Sequence, residues 1–173
     1  ILKTVPKSKI FLKSGVFSDP YFKKLIINNF EKNNISKDSI ILEGKSSRKE
    51  YLACYNKIDI ALDPFPWSGG ISTFEAIWMG VPVLTKKGYK RFVSHQTESI
   101  NYNSEMSDWI AKDESEYLDK AIKFESNVNE LTKIRKNLRK KTLNLPAFNS
   151  TLFAEEFNKA LLEIWDNFIK QNK

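Results

Sequence analysis

The chain has little of several features that mark particular classes of protein. Its 173 residues include one cysteine, Cys54, so an internal disulfide is excluded and a reducing compartment is favoured. No apolar run approaches the roughly 20 residues of a membrane-spanning helix, and no signal peptide is visible, so we expect a cytoplasmic protein. The first residues, ILKTVPKSK, lack an initiating methionine. We therefore expect this chain to be a fragment of a longer protein.

The composition that remains is typical of a globular domain. Hydrophobic residues make up 41% of the chain and aromatic residues 13%, which argues against disorder. The formal net charge of +7 would suit a phosphate-bearing ligand, a nucleic acid or an acidic membrane. The lysines are spread along the chain, however, and many fall on polar helix faces, which favours simple solubility. No nucleic-acid recognition motif accompanies them.

Short β-rich runs alternate with helical patterns up to about residue 111, which predicts parallel strands joined by helical crossovers. We predict strands at 10–12, 40–42, 58–63 and 81–85, the third buried on both faces because nearly every position is apolar. From about residue 113 the pattern is helical only. The last helix, 151–170, carries an apolar stripe, and we place Cys54, Trp78, Trp109 and Trp165 in the core. The predicted fold class is α/β.

Three local signals predict where helices begin and end. Asp19 followed by Pro20 is typical of an N-cap and a first helical residue. Ser47 and Glu50 have the spacing of a capping box, in which each side chain satisfies the other's free amide. Gly80 is predicted to end the helix at 72–79, and Asp113 with Glu116 forms a further capping signal.

The stretch DPFPWSGGISTFEAIWMG, residues 63–80, breaks a strand over two adjacent glycines and restarts as a helix. In parallel sheets, ligands bind beyond the carboxyl ends of the strands. Gly69 and Gly70 would let a ligand approach the backbone, and the following helix would offer unpaired amides and its positive dipole end to a phosphate. The alternative is a turn without a ligand, since Gly-Gly pairs are common.

The order of residues around the glycine pair is more informative than the pair itself. The run IDIALDPFPWSGGISTFEAIWMGVPVLT resembles the C-terminal catalytic half of the SPINDLY and O-linked N-acetylglucosamine transferase family, and the resemblance extends over nearly the whole chain. It implies a Rossmann-like half of a GT-B glycosyltransferase, with residues 1–173 as a single nucleotide-sugar-binding domain and helices covering it from about residue 113. The other half and, usually, tetratricopeptide repeats would precede it.

By this resemblance the chain belongs to a glycosyltransferase that moves a sugar to Ser or Thr hydroxyls of an acceptor protein, with inversion and without a metal or cofactor. Relatives divide between UDP-N-acetylglucosamine, which we favour, and GDP-fucose. The catalytic residues are expected upstream of Ile1, so this fragment alone should be inactive. The alternative is a nucleotide- or protein-binding module that kept the fold and lost catalysis.

Residue by residue, the resemblance assigns donor-binding roles within two segments. Gly70, Ile71 and Ser72 fall at the family's diphosphate contacts, beside Gly69 and Thr73, and Glu75 falls at the acid that binds the ribose hydroxyls. Arg48 and Tyr51 stand where animal relatives have a lysine and a histidine near the nucleotide.

Other positions depart from the family or carry weaker signals. Gly70 and Ile71 replace a histidine and a threonine of the animal enzymes, which removes side-chain donors to phosphate. His95 stands where the family usually has arginine, and is either a phosphate partner or a surface residue. Trp67 either stacks on the donor or packs under the loop.

Overall fold

A computed structural model describes residues 1–172 of the chain, with every side chain among them except that of residue 125. Its strands and α-helices follow one another in this order: β1 Ile10–Lys13, α1 Pro20–Lys32, β2 Ile40–Glu43, α2 Arg48–Ala53, β3 Ala61–Leu62, α3 Ile71–Trp78, β4 Val83–Lys86, α4 Gln96–Asn103, β5 Ile110–Ala111, α5 Glu114–Ser126, α6 Val128–Thr142 and α7 Ser150–Gln171. All strand pairs are parallel and helices flank them. The predicted α/β class is confirmed.

The strands divide between two separate sheets. β1 pairs with β2, in the register Ile10 opposite Ile40, and β3, β4 and β5 form a second sheet in that order. The prediction of a strand over 58–63, buried on both faces, is wrong in its length and its burial. Only Ala61–Leu62 forms a ladder, and Leu62 is 41% exposed. Within residues 1–172, β3 pairs with β4 on one side and with no strand on the other.

The capping signals act as the sequence predicts. The Asp19 carboxylate accepts a hydrogen bond from the Tyr21 amide at 2.8 Å, and Pro20 begins α1. Ser47 and Glu50 form both hydrogen bonds of a capping box at α2. Gly80 adopts a left-handed φ of 76°, and the Val81 amide returns to the Ala76 carbonyl at 2.8 Å. This turn ends α3 and sends the chain directly into β4.

The core surrounds the central strand of the larger sheet. Val83, Leu84 and Ala111 from the strands pack with Ala76 and Ile77 of α3, and all five are at most 3% exposed. The smaller sheet is covered less well, because α1 contains no buried residue and all four residues of β1 are only half-buried. The larger sheet therefore contains most of the apolar burial that stabilises the chain.

The C-terminal helices differ in how they pack. α5 and α6 bury Tyr117, Leu131 and Leu138 against the core, and Trp109 and Cys54 are buried as predicted. The expectation that Trp165 lies in the core is wrong: it is 58% exposed on α7, whose apolar stripe faces solvent. Trp78, at 39%, lies at the edge of the core against Phe148. No helix within residues 1–172 is both long enough and apolar enough to cross a membrane.

Candidate functional site

The loop between β3 and α3 is organised by a buried carboxylate, Asp63, which is 5% exposed. Its Oδ1 accepts a hydrogen bond from the Gly69 amide at 2.6 Å, and its Oδ2 accepts one from the Thr85 hydroxyl at 2.7 Å. Burial raises the pKa of the Asp63 carboxyl, while the hydrogen bonds from Thr85, Gly69 and Thr97 act in the opposite direction. Asp63 thereby fixes the loop to the end of β4.

Two further buried hydroxyls tie the same loop to α4. The Ser68 hydroxyl accepts from the Gln96 amide at 3.1 Å and donates to the Val93 carbonyl at 2.9 Å. The Thr97 hydroxyl donates to the Gly69 carbonyl and lies 2.9 Å from the Thr73 hydroxyl. Because these groups are buried and mutually hydrogen-bonded, the loop is held in one conformation.

The first turn of α3 leaves backbone donors free. Gly70 is the N-cap and supplies no side chain, and no acceptor among residues 1–172 pairs with the amides of Gly70, Ile71 or Ser72. A Cβ at Gly69 would lie 2.8 Å from the Thr73 hydroxyl and 2.9 Å from the Ser72 hydroxyl, so the close turn requires glycine there. Together with the positive end of the helix dipole, three free amides form a seat for an anion.

A cavity of about 1290 Å³ opens beside these amides. Its wall includes Trp67, His95 and Gln96 and the exposed apolar side chains of Phe92 and Phe153. Trp67 is 69% exposed, so it does not pack under the loop and its ring is accessible from the cavity. The arrangement places an exposed aromatic face beside the free amides of α3.

A second cluster lies along the side of α3, where α2 faces it. Arg48 contacts the Glu75 carboxylate at 2.5 Å, and the Arg48 guanidinium lies 5.6 Å from the centre of the Tyr51 ring. The Tyr51 and Tyr55 hydroxyls are 3.3 Å apart, and Tyr55 donates to the Ser72 carbonyl at 3.2 Å. Burial raises the pKa of both phenols, so both stay protonated at neutral pH. Tyr55 thus connects this cluster to the first turn of α3.

His95 is oriented by its surroundings. Its Nδ1 lies 2.7 Å from the Glu98 carboxylate, which also accepts from the Gly88 amide at 2.8 Å. The side chain remains 45% exposed and its ring borders the cavity. A carboxylate at Nδ1 leaves Nε2 as the nitrogen that a ligand would meet. Within residues 1–172, no group of three or more His, Cys, Asp or Glu side chains is arranged to hold a metal ion.

The structure thus divides the residues singled out by sequence between two neighbouring places. The cavity is bordered by Trp67, Gly69, Gly70, Ile71, Ser72, Thr73 and His95. Arg48, Tyr51 and Glu75 form the adjoining cluster and do not line that cavity. Sequence reasoning missed Asp63, Ser68 and Thr97, which hold the loop. The position of Asp63 directly after an apolar strand could have indicated its role. Nothing in the sequence around Ser68 or Thr97 indicates theirs.

Comparison with known proteins shows the family to which this chain belongs. The sequence model of glycosyl transferase family 41 matches residues 1–157. Proteins named "Probable UDP-N-acetylglucosamine--peptide N-acetylglucosaminyltransferase SPINDLY" are similar to this chain in Arabidopsis thaliana, at 28% identity over 98% of the chain, and in Hordeum vulgare, at 26% over 97%. The chain spans 19% and 18% of those two proteins.

A solved structure agrees with these sequence matches. It is a mutant of the Thermobaculum terrenum O-GlcNAc transferase, which superposes with a TM-score of 0.90 at 26% identity, covering 99% of this chain and 33% of that protein. The resemblance drawn from residues 58–85 is thereby confirmed, as is the fold that it implied. The family model covers all but the last part of α7. The chain belongs to glycosyl transferase family 41.

Proposed function

We propose that this chain is the donor-binding half of an inverting, metal-independent protein O-glycosyltransferase. The observation that carries the proposal is the set of free amides at Gly70, Ile71 and Ser72, held open by the Asp63 and Thr97 network beside an accessible cavity. The donor is a nucleotide sugar and the acceptor a Ser or Thr hydroxyl of a protein. The names of the SPINDLY relatives favour UDP-N-acetylglucosamine over GDP-fucose.

In this proposal, each part of the site acts on one part of the donor. The free amides receive the diphosphate and stabilise the negative charge that develops as it leaves, which is a role that hydrogen-bond donors fill without a metal. Glu75 releases Arg48 and accepts hydrogen bonds from the two ribose hydroxyls instead. Tyr51 lies near the base. Trp67 stacks on the donor, and the Nε2 of His95 faces the phosphates.

The proposal also concerns what lies outside the site. Residues 1–173 form one domain of a longer cytoplasmic protein, whose upstream half provides the catalytic residues, and tetratricopeptide repeats precede that half. The exposed apolar side chains of Trp67, Phe92 and Phe153 around the cavity support this arrangement, since a facing half would cover them. The chain alone is then inactive but still binds the nucleotide weakly.

A binding module without catalysis is the second candidate. Two observations favour it: Glu75 is already engaged by Arg48, and Gly70 contributes no side-chain donor to phosphate. The two candidates differ in sugar transfer by the full-length protein, because a module would bind the nucleotide and transfer nothing.

Amide chemical-shift titration with UDP, GDP and their sugar conjugates tests the binding role in this chain. We expect one nucleotide to shift the amides of Gly70, Ile71 and Ser72. Glu75→Gln should weaken that binding about tenfold, since it removes one charged acceptor of the ribose hydroxyls. Glu31→Gln, on the exposed face of α1, is the matched control and should change nothing.

Three outcomes would count against the proposal. Equal binding by wild type and Glu75→Gln would remove the ribose role of Glu75. Shifts that avoid the start of α3 would place the nucleotide elsewhere. If no nucleotide changed any amide chemical shift at concentrations up to millimolar, in the full-length protein as well as in this chain, donor binding would be overturned altogether.

A further inference from the structure

The start of α4 lies directly against the glycine that caps α3. A Cβ at Gly70 would lie 3.0 Å from Oε1 of Gln96 and 3.8 Å from the carbon of the same carboxamide. Apart from the chain next to Gly70 and the backbone of α3, no other residue among 1–172 comes within 4 Å of that place. The Gln96 carboxamide therefore borders the space into which a side chain at position 70 would point.

Two hydroxyls hold the backbone of Gln96 beside Gly70. The Ser68 hydroxyl accepts a hydrogen bond from the Gln96 amide at 3.1 Å, and the Thr97 hydroxyl donates to the Gly69 carbonyl at 2.9 Å. These contacts fix the start of α4 to the loop that precedes α3. Because the hydroxyls belong to the buried network of that loop, Gln96 keeps one position relative to the free amides of α3.

The carboxamide of Gln96 has no partner in the part of the chain that the structure describes. The hydrogen bond that Gln96 donates comes from its backbone, and none joins its side chain to another group within residues 1–172. The side chain is half-buried and borders the cavity beside α3. A carboxamide has two N–H donors and one acceptor oxygen to satisfy, so this one is available to a polar ligand in the cavity.

The backbone at the start of α4 is already engaged. The amides of Gln96 and Thr97 both donate to the Ser68 hydroxyl, at 3.1 and 3.3 Å. They differ in this respect from the amides at the start of α3, which have no acceptor among residues 1–172. The first residues of α4 can therefore contribute to a ligand at α3 through their side chains only.

We propose that Gln96 binds the donor diphosphate through its side-chain NH2 group and supplies the hydrogen bond that glycine at position 70 cannot. The inference rests on our proposed function, which puts the diphosphate at the free amides of α3. The terminal torsion of a glutamine is soft, so the carboxamide can turn its NH2 group toward the ligand. The backbone amides hold the diphosphate at the end of α3, and Gln96 holds it from the side of α4.

A carboxamide suits a group whose negative charge increases during the reaction. Its N–H donates to a phosphate oxygen, and a hydrogen bond to an ionised acceptor is stronger than one between neutral groups. The contact therefore becomes stronger as the nucleoside diphosphate leaves. A carboxylate of the same shape at position 96 would repel the diphosphate, and an ammonium group there would attract it. The sign of the charge at position 96 should thus decide the direction of the effect.

Calorimetric titration of the full-length protein with UDP and GDP tests the inference, using whichever nucleotide the wild type binds. We expect Gln96→Glu to bind it at least about tenfold more weakly and Gln96→Lys to bind it about threefold or more tightly. A side chain with a structural role only would lose affinity in both variants, and that result would overturn the inference. A variant that fails to fold cannot bind more tightly, so the gain in Gln96→Lys also reports an intact fold.

The outcomes separate this inference from the proposed function. Equal affinity of the wild type and both variants would overturn the contact of Gln96, while binding by the wild type would still support donor binding. A wild type that binds neither nucleotide would overturn the proposed function and this inference with it.

Gln171→Glu is the matched control for the change in net charge. Gln171 is exposed at the end of α7, roughly 27 Å along the helix axis from Phe153, which borders the cavity. At that separation, salt screens a surface charge, so the affinity should stay within about twofold of the wild type. If Gln171→Glu weakened binding as much as Gln96→Glu, the effect would come from net charge and the contact of Gln96 would be overturned.

Discussion

The two sheets of this protein show how unevenly one α/β chain distributes its stability. Around β4, Ile77 and Leu84 are wholly buried, and the helices on both faces belong to the same core. Around β1, Leu25 of the covering helix is 42% exposed and no residue of α1 is buried. Both sheets have unpaired edge strands within residues 1–172, so they differ in burial and not in completeness of pairing. The loop of the candidate functional site extends from the sheet with the better-buried core.

The largest expected difference between the sheets is in core truncation. Ile77→Ala should lower the free energy of unfolding by about 3 to 4 kcal/mol, because it leaves a cavity in a site that is 0% exposed. Leu25→Ala, on the helix over the smaller sheet, should cost less than about 1 kcal/mol. Urea denaturation measures both. Similar losses at the two positions would show that the smaller sheet is as tightly packed as the larger.

A smaller effect is expected from two matched glycine substitutions. Gly69→Ala puts a Cβ within 2.9 Å of two hydroxyls and should cost about 1 to 2 kcal/mol. Gly15→Ala, beside the smaller sheet, meets no atom within 4 Å and should be neutral or slightly stabilising. Thermal unfolding compares them. If Gly69→Ala proved as harmless as Gly15→Ala, the loop would be looser than its hydrogen bonds indicate.

The smallest expected effect is a pH dependence of stability at Asp63, directly after β3 of the larger sheet. Because burial raises the pKa of Asp63 in the folded state, ionisation is less favourable there than in the unfolded chain. The stability that Asp63 contributes is therefore complete below its unfolded pKa, about 3.9, and declines as the pH rises through the folded value. Unfolding of wild type and Asp63→Asn is measured from pH 3 to 7 in steps of about one unit. The difference between their free energies of unfolding should shrink as the pH rises.

The reference for this measurement is Asp166→Asn on the exposed face of α7. It should change the free energy of unfolding by less than about 0.5 kcal/mol, as surface substitutions usually do. If the free energies of unfolding of wild type and Asp63→Asn differed by the same amount at every pH, the raised pKa of Asp63 would be contradicted.

Local signals explain which parts of the fold could be predicted from sequence. Asp19, Ser47 and Asp113 cap helices through partners two or three residues away, so their roles follow from short spacing. The length of β3 was mispredicted because a strand's extent depends on its neighbours, and one of its edges has none. Trp165 was mispredicted because an apolar stripe indicates that a helix buries one face. The stripe does not indicate that the surface covering this face lies within residues 1–172.

The same contrast holds within the site. The Gly-Gly pair and the helix after it could be read directly from residues 69–78, because both depend on neighbours in the chain. The hydrogen bonds that fix this loop could not, since Thr97 lies 28 residues from Gly69 and Thr85 lies 22 from Asp63. Family resemblance supplied candidate roles for Arg48 and Glu75, and the structure adds that these two side chains contact each other.

The two adjacent glycines of the loop differ in their freedom to vary during evolution. A side chain at position 69 would meet Thr73, Ser72 and Asp63 together, so an exchange there would require several compensating changes at once. A side chain at position 70 would meet only the amide end of Gln96, at 3.0 Å, which a rotation of that flexible group relieves. Single mutations at position 70 can therefore place a side chain beside the free amides of α3 while position 69 stays glycine. Under our proposal, a change of donor preference would arise at position 70.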